Sequence, residues 1–381
     1  MIYVHIPYCH AKCSYCAFFS VAERKSMAET VQAICREIEQ RCGEQRDHAI
    51  RTVYFGGGTP TLLPIEMLQQ IVEQLQKCYD LSHLEEATIE ANPEDLTTSY
   101  LHELRQLGLF NRLSIGIQSL NDDALRLIRR RHTAAEAIDA IKNAHAAGFD
   151  NISIDLIYGI PNQSLETWNN NLSLVRQIDP HHEFIRHLSC YALTIEPHTI
   201  MEHQIASGQL TATSEDEVLR QYDSLAAWCS DNGFEQYEVS NYCQKGFSSR
   251  HNSRYWDRTP YTGIGPGAHS LCGMVRRWNV SNIRQYIDGV SHNTEYYEQE
   301  ELTRCDVFNE YLMTALRTAI GLDKATLDAL MPTKHALTAH DKIARLVANG
   351  LLTDDATHYR PTAKGLLQAD SMAADLFADN E

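Results

Sequence analysis

Cys9, Cys13 and Cys16, in the run HIPYCHAKCSYCAFF, place three soft ligands within eight residues and no fourth cysteine beside them. Thiolates so spaced suit zinc or an iron–sulfur cluster, and a site that stops at three leaves one metal corner for a ligand from outside the chain. A closed structural zinc site needs four ligands, ordinarily two separated CxxC pairs, and no second pair occurs in this sequence. Attachment of a c-type heme requires histidine directly after a CxxC, and here Ala17 follows Cys16. Two plainer readings stay open on spacing alone: zinc on three cysteines completed by His5 or His10, or free core thiols.

The remaining eight of the eleven cysteines are scattered singly, the pattern of reduced thiols rather than of a disulfide framework. With no signal peptide ahead of the cysteine loop and no apolar run near the roughly 18 residues of a membrane span, a cytoplasmic protein is expected. A net charge of −17 makes recognition of a phosphate backbone a poor default despite the local run Arg129, Arg130 and Arg131, so no nucleic-acid partner is expected. At 381 residues and 43% apolar content the chain can bury one large core and a smaller one.

The elements that must position the cysteines recur about every thirty residues, as short β-branched or apolar runs followed by amphipathic stretches, the cadence of βα units on a parallel sheet. Strands are predicted at Ile2–Ile6, Thr52–Phe55, Ala87–Glu90, Leu113–Ile117, Ile152–Ile157 and Ile185–Tyr191. Helices are predicted at Lys25–Arg41, Pro64–Cys78, Leu101–Leu107, Ala134–Ala146 and Leu165–Gln177. Six such units give an α/β fold, a partial, open (β/α)6 barrel over residues 1–232. In such sheets ligands sit at the C-terminal ends of strands. The cysteine loop, the GGGTP turn, Glu90, Gln118 and Asp155 all fall at that rim. Residues 233–300, rich in aromatics and turn residues, read as strands and ordered loops laid against the barrel. Residues 301–381 read as a small helical, winged-helix-like domain ending in a helix and a hairpin.

The CxxxCxxC loop resembles the signature of the radical S-adenosylmethionine (SAM) superfamily. That resemblance implies a four-iron four-sulfur cluster on Cys9, Cys13 and Cys16, with SAM chelating the fourth iron and capable of reductive cleavage to a carbon radical. By itself Gly56-Gly57-Gly58 is a tight βα turn. In the superfamily this loop meets the SAM amino group, and the lysine of a phosphate-binding P-loop is missing here. YVHIPYCHAKCSYC, YFGGGTPTLL, TIEANPE, SIGIQSL and SIDLIYGIP together resemble the oxygen-independent coproporphyrinogen III oxidase family over essentially the whole chain. Carried over, the resemblance implies SAM contacts from Tyr3, Gly57, Gly58, Thr59, Glu90, Gln118, Arg130, Asp155 and Ala192. Arg130 suits the SAM carboxylate by charge and Glu90 its ribose hydroxyls.

Two departures tell against oxidase chemistry. Phe18 stands where those oxidases carry a further cysteine, and only eight residues precede Cys9 where they have a longer extension. The run His251-Asn252-Ser253-Arg254-Tyr255-Trp256 resembles the HNxxYW motif of HemW-type heme chaperones, relatives of the oxidase. This implies heme as a third bound group, with His251 as an axial ligand and Tyr255 and Trp256 as a flat apolar face. Without the resemblance, His251 reads as a hydrogen-bonded loop histidine and Trp256 as a core residue. The expected function is therefore a heme chaperone serving acceptor proteins on a radical SAM scaffold, and the alternative is decarboxylation of coproporphyrinogen propionates.

Overall fold

The computed structural model describes residues 1–45 and 49–379; residues 46–48 of segment 1–232, and residues 380 and 381 at the end of segment 301–381, lie outside the described residues. Strands β1 (Ile2–Ile6), β2 (Thr52–Gly57), β3 (Glu86–Ala91), β4 (Arg112–Gln118), β5 (Ile152–Tyr158) and β6 (Ile185–Ala192) pair in parallel, in chain order, in a sheet that stays open. Side chains of a strand alternate between faces, and these strands alternate by polarity. Leu113, Ile115 and Ile117 of β4 are sealed in the core, whereas Arg112, Ser114, Gly116 and Gln118 take the other face. Parallel sheets ordinarily bury two apolar faces. Here the concave face carries charged and hydroxyl groups instead.

Helices cover the convex face: α1 (Met27–Arg41), α2 (Ile65–Cys78), α3 (Thr98–Gln106), the short α4 (Asp122–Leu127), α5 (Ala134–Ala146) and α6 (Leu165–Ile178). Their starts follow local chemistry. Thr97, Asn121 and Ser164 each accept a backbone N–H of the first turn, and Thr133 and Glu136 form a reciprocal capping box. Two further helices follow β6, α7 (Ile200–Ala206) and α8 (Glu215–Asp231).

Residues 233–300 do more than lie against the barrel. β7 (Glu235–Gln236) and β8 (Asn241–Cys243) extend the sheet antiparallel beyond β6, and residues 250–256, expected as an ordered loop, form helix α9 (Arg250–Trp256). β9 (Thr262–Ile264) then pairs in parallel with β1, completing the nine-stranded order β7-β8-β6-β5-β4-β3-β2-β1-β9. β10 (His269–Cys272), β11 (Val275–Asn279), α10 (Ile283–His292) and β12 (Tyr297–Glu301) add a three-stranded antiparallel sheet. Glu37 of α1 fixes this segment: its buried carboxylate accepts from Tyr286 Oη (2.6 Å), Asn279 Nδ2 (2.8 Å), Gly265 N (2.8 Å) and Arg41 Nη1 (3.1 Å). An enclosed carboxylate needs that many donors to be tolerated.

The C-terminal part has its own core, centred on Phe308, Leu312, Leu316, Ile343 and Leu376. It comprises α11 (Arg304–Ala315), β13 (Leu322–Asp323), α12 (Lys324–Leu330), α13 (Ala336–Ala348), β14 (Leu352–Asp354), β15 (His358–Pro361), α14 (Ala363–Leu366) and α15 (Ala369–Leu376). The expected helix and hairpin are α13 and the β14–β15 pair, and β13 adds a third strand to the wing.

Candidate functional site

The rim is built at the C-terminal ends of β1 to β5. After β1 the cysteine loop is held at its base by Cys9 N on Val21 O (3.0 Å) and Val21 N on Pro7 O (2.7 Å), and at its middle by Ser14 N on Ile128 O (3.2 Å). Cys9, Cys13 and Cys16 are all unpaired and half-buried. Thr59 Oγ1 lies 3.7 Å from Cys9 Sγ and Arg130 Nη1 lies 3.6 Å from Cys13 Sγ, so each of these two sulfurs faces a donor that favours a thiolate. Burial pushes the Cys9 and Cys16 thiols up, the condition that a bound metal reverses. Neither histidine proposed to complete a zinc site is free. His10 Nε2 contacts Asp95 Oδ1 at 2.5 Å while its Nδ1 accepts from Arg24, and His5 Nε2 donates to Phe19 O while its Nδ1 accepts from Tyr3 Oη. Among the described residues no three His, Cys, Asp or Glu side chains converge on a single ion.

The glycine turn after β2 is shaped by crowding. Gly57 has φ +106°, and a Cβ there would sit 2.3 Å from the His5 ring; one on Gly58 would meet Tyr8 O at 2.6 Å. Gly58 N and Thr59 N donate to Ile6 O and Tyr8 O, which binds the turn to the start of the cysteine loop. Glu90, at the end of β3, accepts from Gly57 N (3.1 Å) and Tyr54 Oη (2.8 Å). Burial, only partly offset by these donors, pushes its carboxyl up to about 7. Tyr3 joins the same group through His5 and through its ring, 6.1 Å from that of Tyr54.

Asn92 bridges two sides of the rim, donating to Thr59 Oγ1 (2.8 Å) and accepting from Arg130 Nη2 (2.6 Å), while Arg130 also bonds Gly116 O. Gln118 sits at a β-bulge with φ +60°, its amide beside Gly116. Asp155 accepts from Ser114 Oγ (3.3 Å), and burial raises its carboxyl. Ala192 stands apart. It ends β6 on the wall of a cleft of about 590 Å³ between the sheet and the C-terminal part, beside Tyr158, Leu219 and Leu367.

His251, Tyr255 and Trp256 lie at the opposite end of the strands. Glu86, the first residue of β3, accepts from Arg250 N (2.8 Å), His251 N (3.0 Å) and Ser249 Oγ (3.3 Å), and so receives the start of α9. His251 is 0% exposed, with Nδ1 3.0 Å from Thr52 Oγ1 and Nε2 3.1 Å from Tyr255 Oη. Its ring packs on Tyr54 (5.1 Å between centroids), and burial and nearby cations hold it neutral, with its pKa down at about 3. The structure thus gathers the three residues expected at the heme on one helix, with His251 and Tyr255 bonded to each other. Both imidazole nitrogens are engaged, Tyr255 meets His251 and Tyr261 edge to face, and half-buried Trp256 keeps its Nε1 enclosed without a partner.

The radical SAM superfamily model matches residues 3–175, and the HemN C-terminal domain model matches residues 302–367. The heme chaperone HemW of Bacillus subtilis is 31% identical over 342 residues, spanning 87% of this chain and 89% of its own. HemW of Mycobacterium tuberculosis is 31% identical over 98% of this chain and 94% of its own. The chain belongs to the HemW heme chaperone family. A mouse relative, the mitochondrial radical S-adenosyl methionine domain-containing protein 1, is 32% identical over 97% of this chain and 86% of its own. Coproporphyrinogen III oxidase (HemN) of Escherichia coli superposes with a TM-score of 0.84 over 99% of this chain and 89% of its own at 23% identity, which establishes a shared fold.

Within this HemW-family chain, Phe18 projects from the cysteine loop 73% exposed. Four residues that organise the two ends escaped the sequence reading: Tyr54, Asn92, Glu86 and Arg112. Asn92 lies inside the quoted TIEANPE run and Tyr54 opens the quoted YFGGGTPTLL run, so the motifs held a signal for both; Glu86 acts through partners far away in the chain, and Arg112 carries no motif at all. Among the described residues no helix is long and apolar enough to cross a membrane.

Proposed function

We propose that this chain is a heme chaperone that binds heme and passes it to acceptor proteins, with a four-iron four-sulfur cluster and SAM at the rim. The observation that carries this reading is the near-full-length similarity to heme chaperones, together with a three-cysteine loop in which Phe18 replaces the oxidases' further cysteine. Cys9, Cys13 and Cys16 would hold the cluster. Their donor set fits it: three soft ligands, no free histidine to close the site, and Thr59 and Arg130 positioned to stabilise thiolates. A cluster held by these three thiolates would supply one-electron reducing chemistry toward SAM.

The remaining work falls to the chain's own side chains. Arg130 would pair with the SAM carboxylate, held in place by Asn92 and Gly116 O. Gly57, Gly58 and Thr59 would line the SAM amino group along a backbone that no Cβ obstructs. Glu90 would accept from the ribose hydroxyls, and Tyr3, Gln118 and Asp155 would border the adenosyl side. Ala192 would contribute from the end of β6, on the wall of the neighbouring cleft. His251 as an axial heme ligand requires α9 to give up its bond to Thr52 or to Tyr255, so heme entry at that end is coupled to opening of the barrel floor. With no membrane-crossing helix among the described residues, delivery would proceed through a protein surface.

The test is an anaerobic titration of cluster-reconstituted protein with heme, followed at the Soret band, beside an assay with coproporphyrinogen, SAM and dithionite. Saturable heme binding without decarboxylation is expected. Formation of protoporphyrinogen would make the protein an oxidase. His251→Ala should weaken heme retention while sparing the cluster, and unchanged affinity would remove His251 from the site.

A further inference from the structure

Arg112 opens β4 on the concave face and is among the largest side chains fully enclosed by the protein, 1% exposed. Strand alternation fixes its direction, because its neighbour Leu113 belongs to the apolar core on the other face. In register it pairs with Thr88 of β3, which in turn pairs with Tyr54 of β2. Arg112 therefore sits in the barrel interior between Glu90 and Asp155 on the rim side and His251 on the floor side, and its charge acts on all three.

What sets it apart is the lack of a partner. Among the described residues its guanidinium makes no ion pair and no hydrogen bond, and Nε is sealed from solvent with nothing to donate to. The carboxylates nearby are committed elsewhere, Glu90 to Tyr54 and Gly57 and Asp155 to Ser114. Burial raises both carboxyls, so neither is a dedicated counter-anion. Arg41 shows how this protein treats a buried arginine whose role is structural: it bonds Glu37, Glu44, Gly263 O and Ser270. An enclosed, unpaired cation is strongly destabilising unless an anion joins it.

We infer that Arg112 is a carboxylate-binding residue, and that it anchors a propionate of the tetrapyrrole inside the barrel. The inference rests on the heme chaperone reading and adds to it the group by which the ligand is recognised. A planar guanidinium with free N–H groups matches a carboxylate in bidentate geometry. The position agrees: two strand spacings, about 10 Å, separate the backbones of Arg112 and Tyr54, on whose ring His251 packs. Arg112 and the Tyr54 ring that carries His251 thus share one interior face, and on the chaperone reading a single heme would meet His251 with its iron and Arg112 with its edge.

The experiment uses full-length, cluster-reconstituted protein and three probes: heme, heme dimethyl ester and the tetracarboxylate coproporphyrin III. Wild-type protein should bind heme about 10- to 100-fold more tightly than the ester, the range for a charge-assisted hydrogen bond. Arg112→Gln should lose that preference while binding the ester as wild type does, which also shows that the variant is folded, and Arg112→Lys should recover part of it. Equal binding of heme and ester by wild-type protein overturns the inference and leaves the chaperone reading in place. So does an Arg112→Gln variant that weakens both probes equally. If wild-type protein binds neither heme nor ester, the chaperone reading falls, and coproporphyrin III decides on Arg112: binding that Arg112→Gln abolishes upholds the carboxylate site, and no binding removes it.

Discussion

The two ends of the same six strands are built to opposite rules. At the rim the three thiols are unpaired and half-buried, and Arg130 keeps its Nε without a partner among the described residues while its other nitrogens reach Cys13, Asn92 and Gly116 O. At the floor the polar groups around His251 are consumed: Glu86 takes three donors from the start of α9, and both nitrogens of His251 are bonded. A site that receives its ligand directly keeps donors and acceptors in reserve. A site that spends them all binds only after some of them let go, and its affinity then falls by the fraction of time it is open. On the proposed function, SAM and heme would meet the same barrel under these two regimes.

The largest expected effect lies at the rim. Replacing Cys9, Cys13 and Cys16 together with alanine should reduce bound iron and the cluster's visible absorbance to background. The midpoint of urea unfolding of the cluster-free protein should barely change, since none of the three is a core residue. Iron retained by the triple variant would relocate the cluster and dissolve the contrast between the ends.

Next comes the floor. Glu86→Ala leaves three donors at the start of α9 without their acceptor and removes a buried carboxylate, which should cost about 3–5 kcal/mol in urea unfolding. Hydrogen exchange should show Arg250–Trp256 losing protection well before the cysteine loop does. If the floor must open for heme, the same variant should take up heme faster than wild type. Unchanged exchange in α9 would mean that Glu86 does not hold the floor shut.

Much of the rim was legible from sequence because its residues sit inside short runs at strand ends, where strand period and turn glycines both mark position. The six core strands were located to within two residues by their β-branched runs, as in Leu113–Ile117 within β4. The floor was not legible in the same way. In α9 only His251 is buried, so the run carries no helical apolar period, and what makes it a helix is a carboxylate 165 residues earlier in the chain. β9 is three residues long, and its pairing with β1 depends on that same long-range closure. Arg112 could be read only as a charge at the start of a strand; its isolation becomes visible once its neighbours are known to be engaged elsewhere.

The smallest effect concerns pH and returns to the rim. Glu90 has its carboxyl raised from 4.5 to about 7, chiefly by burial, so between those values the folded protein holds a proton that the unfolded chain has lost. Stability from this group is therefore full below about 4.5, declines as pH rises through about 7, and is flat above. Glu90→Gln should remove that share of the slope in urea unfolding measured from pH 5 to 7.5, leaving the contribution of Asp155, whose raised carboxyl acts in the same direction. Ribose hydroxyls donating to Glu90 would favour its ionised form, so on the proposed assignment SAM affinity should rise across the same interval in wild-type protein and stay level in Glu90→Gln. Identical slopes in the two proteins would return Glu90 to the ordinary carboxylate range, and the rim's response to pH would then rest on Asp155 alone of the two carboxyls, against a floor whose histidine stays neutral throughout.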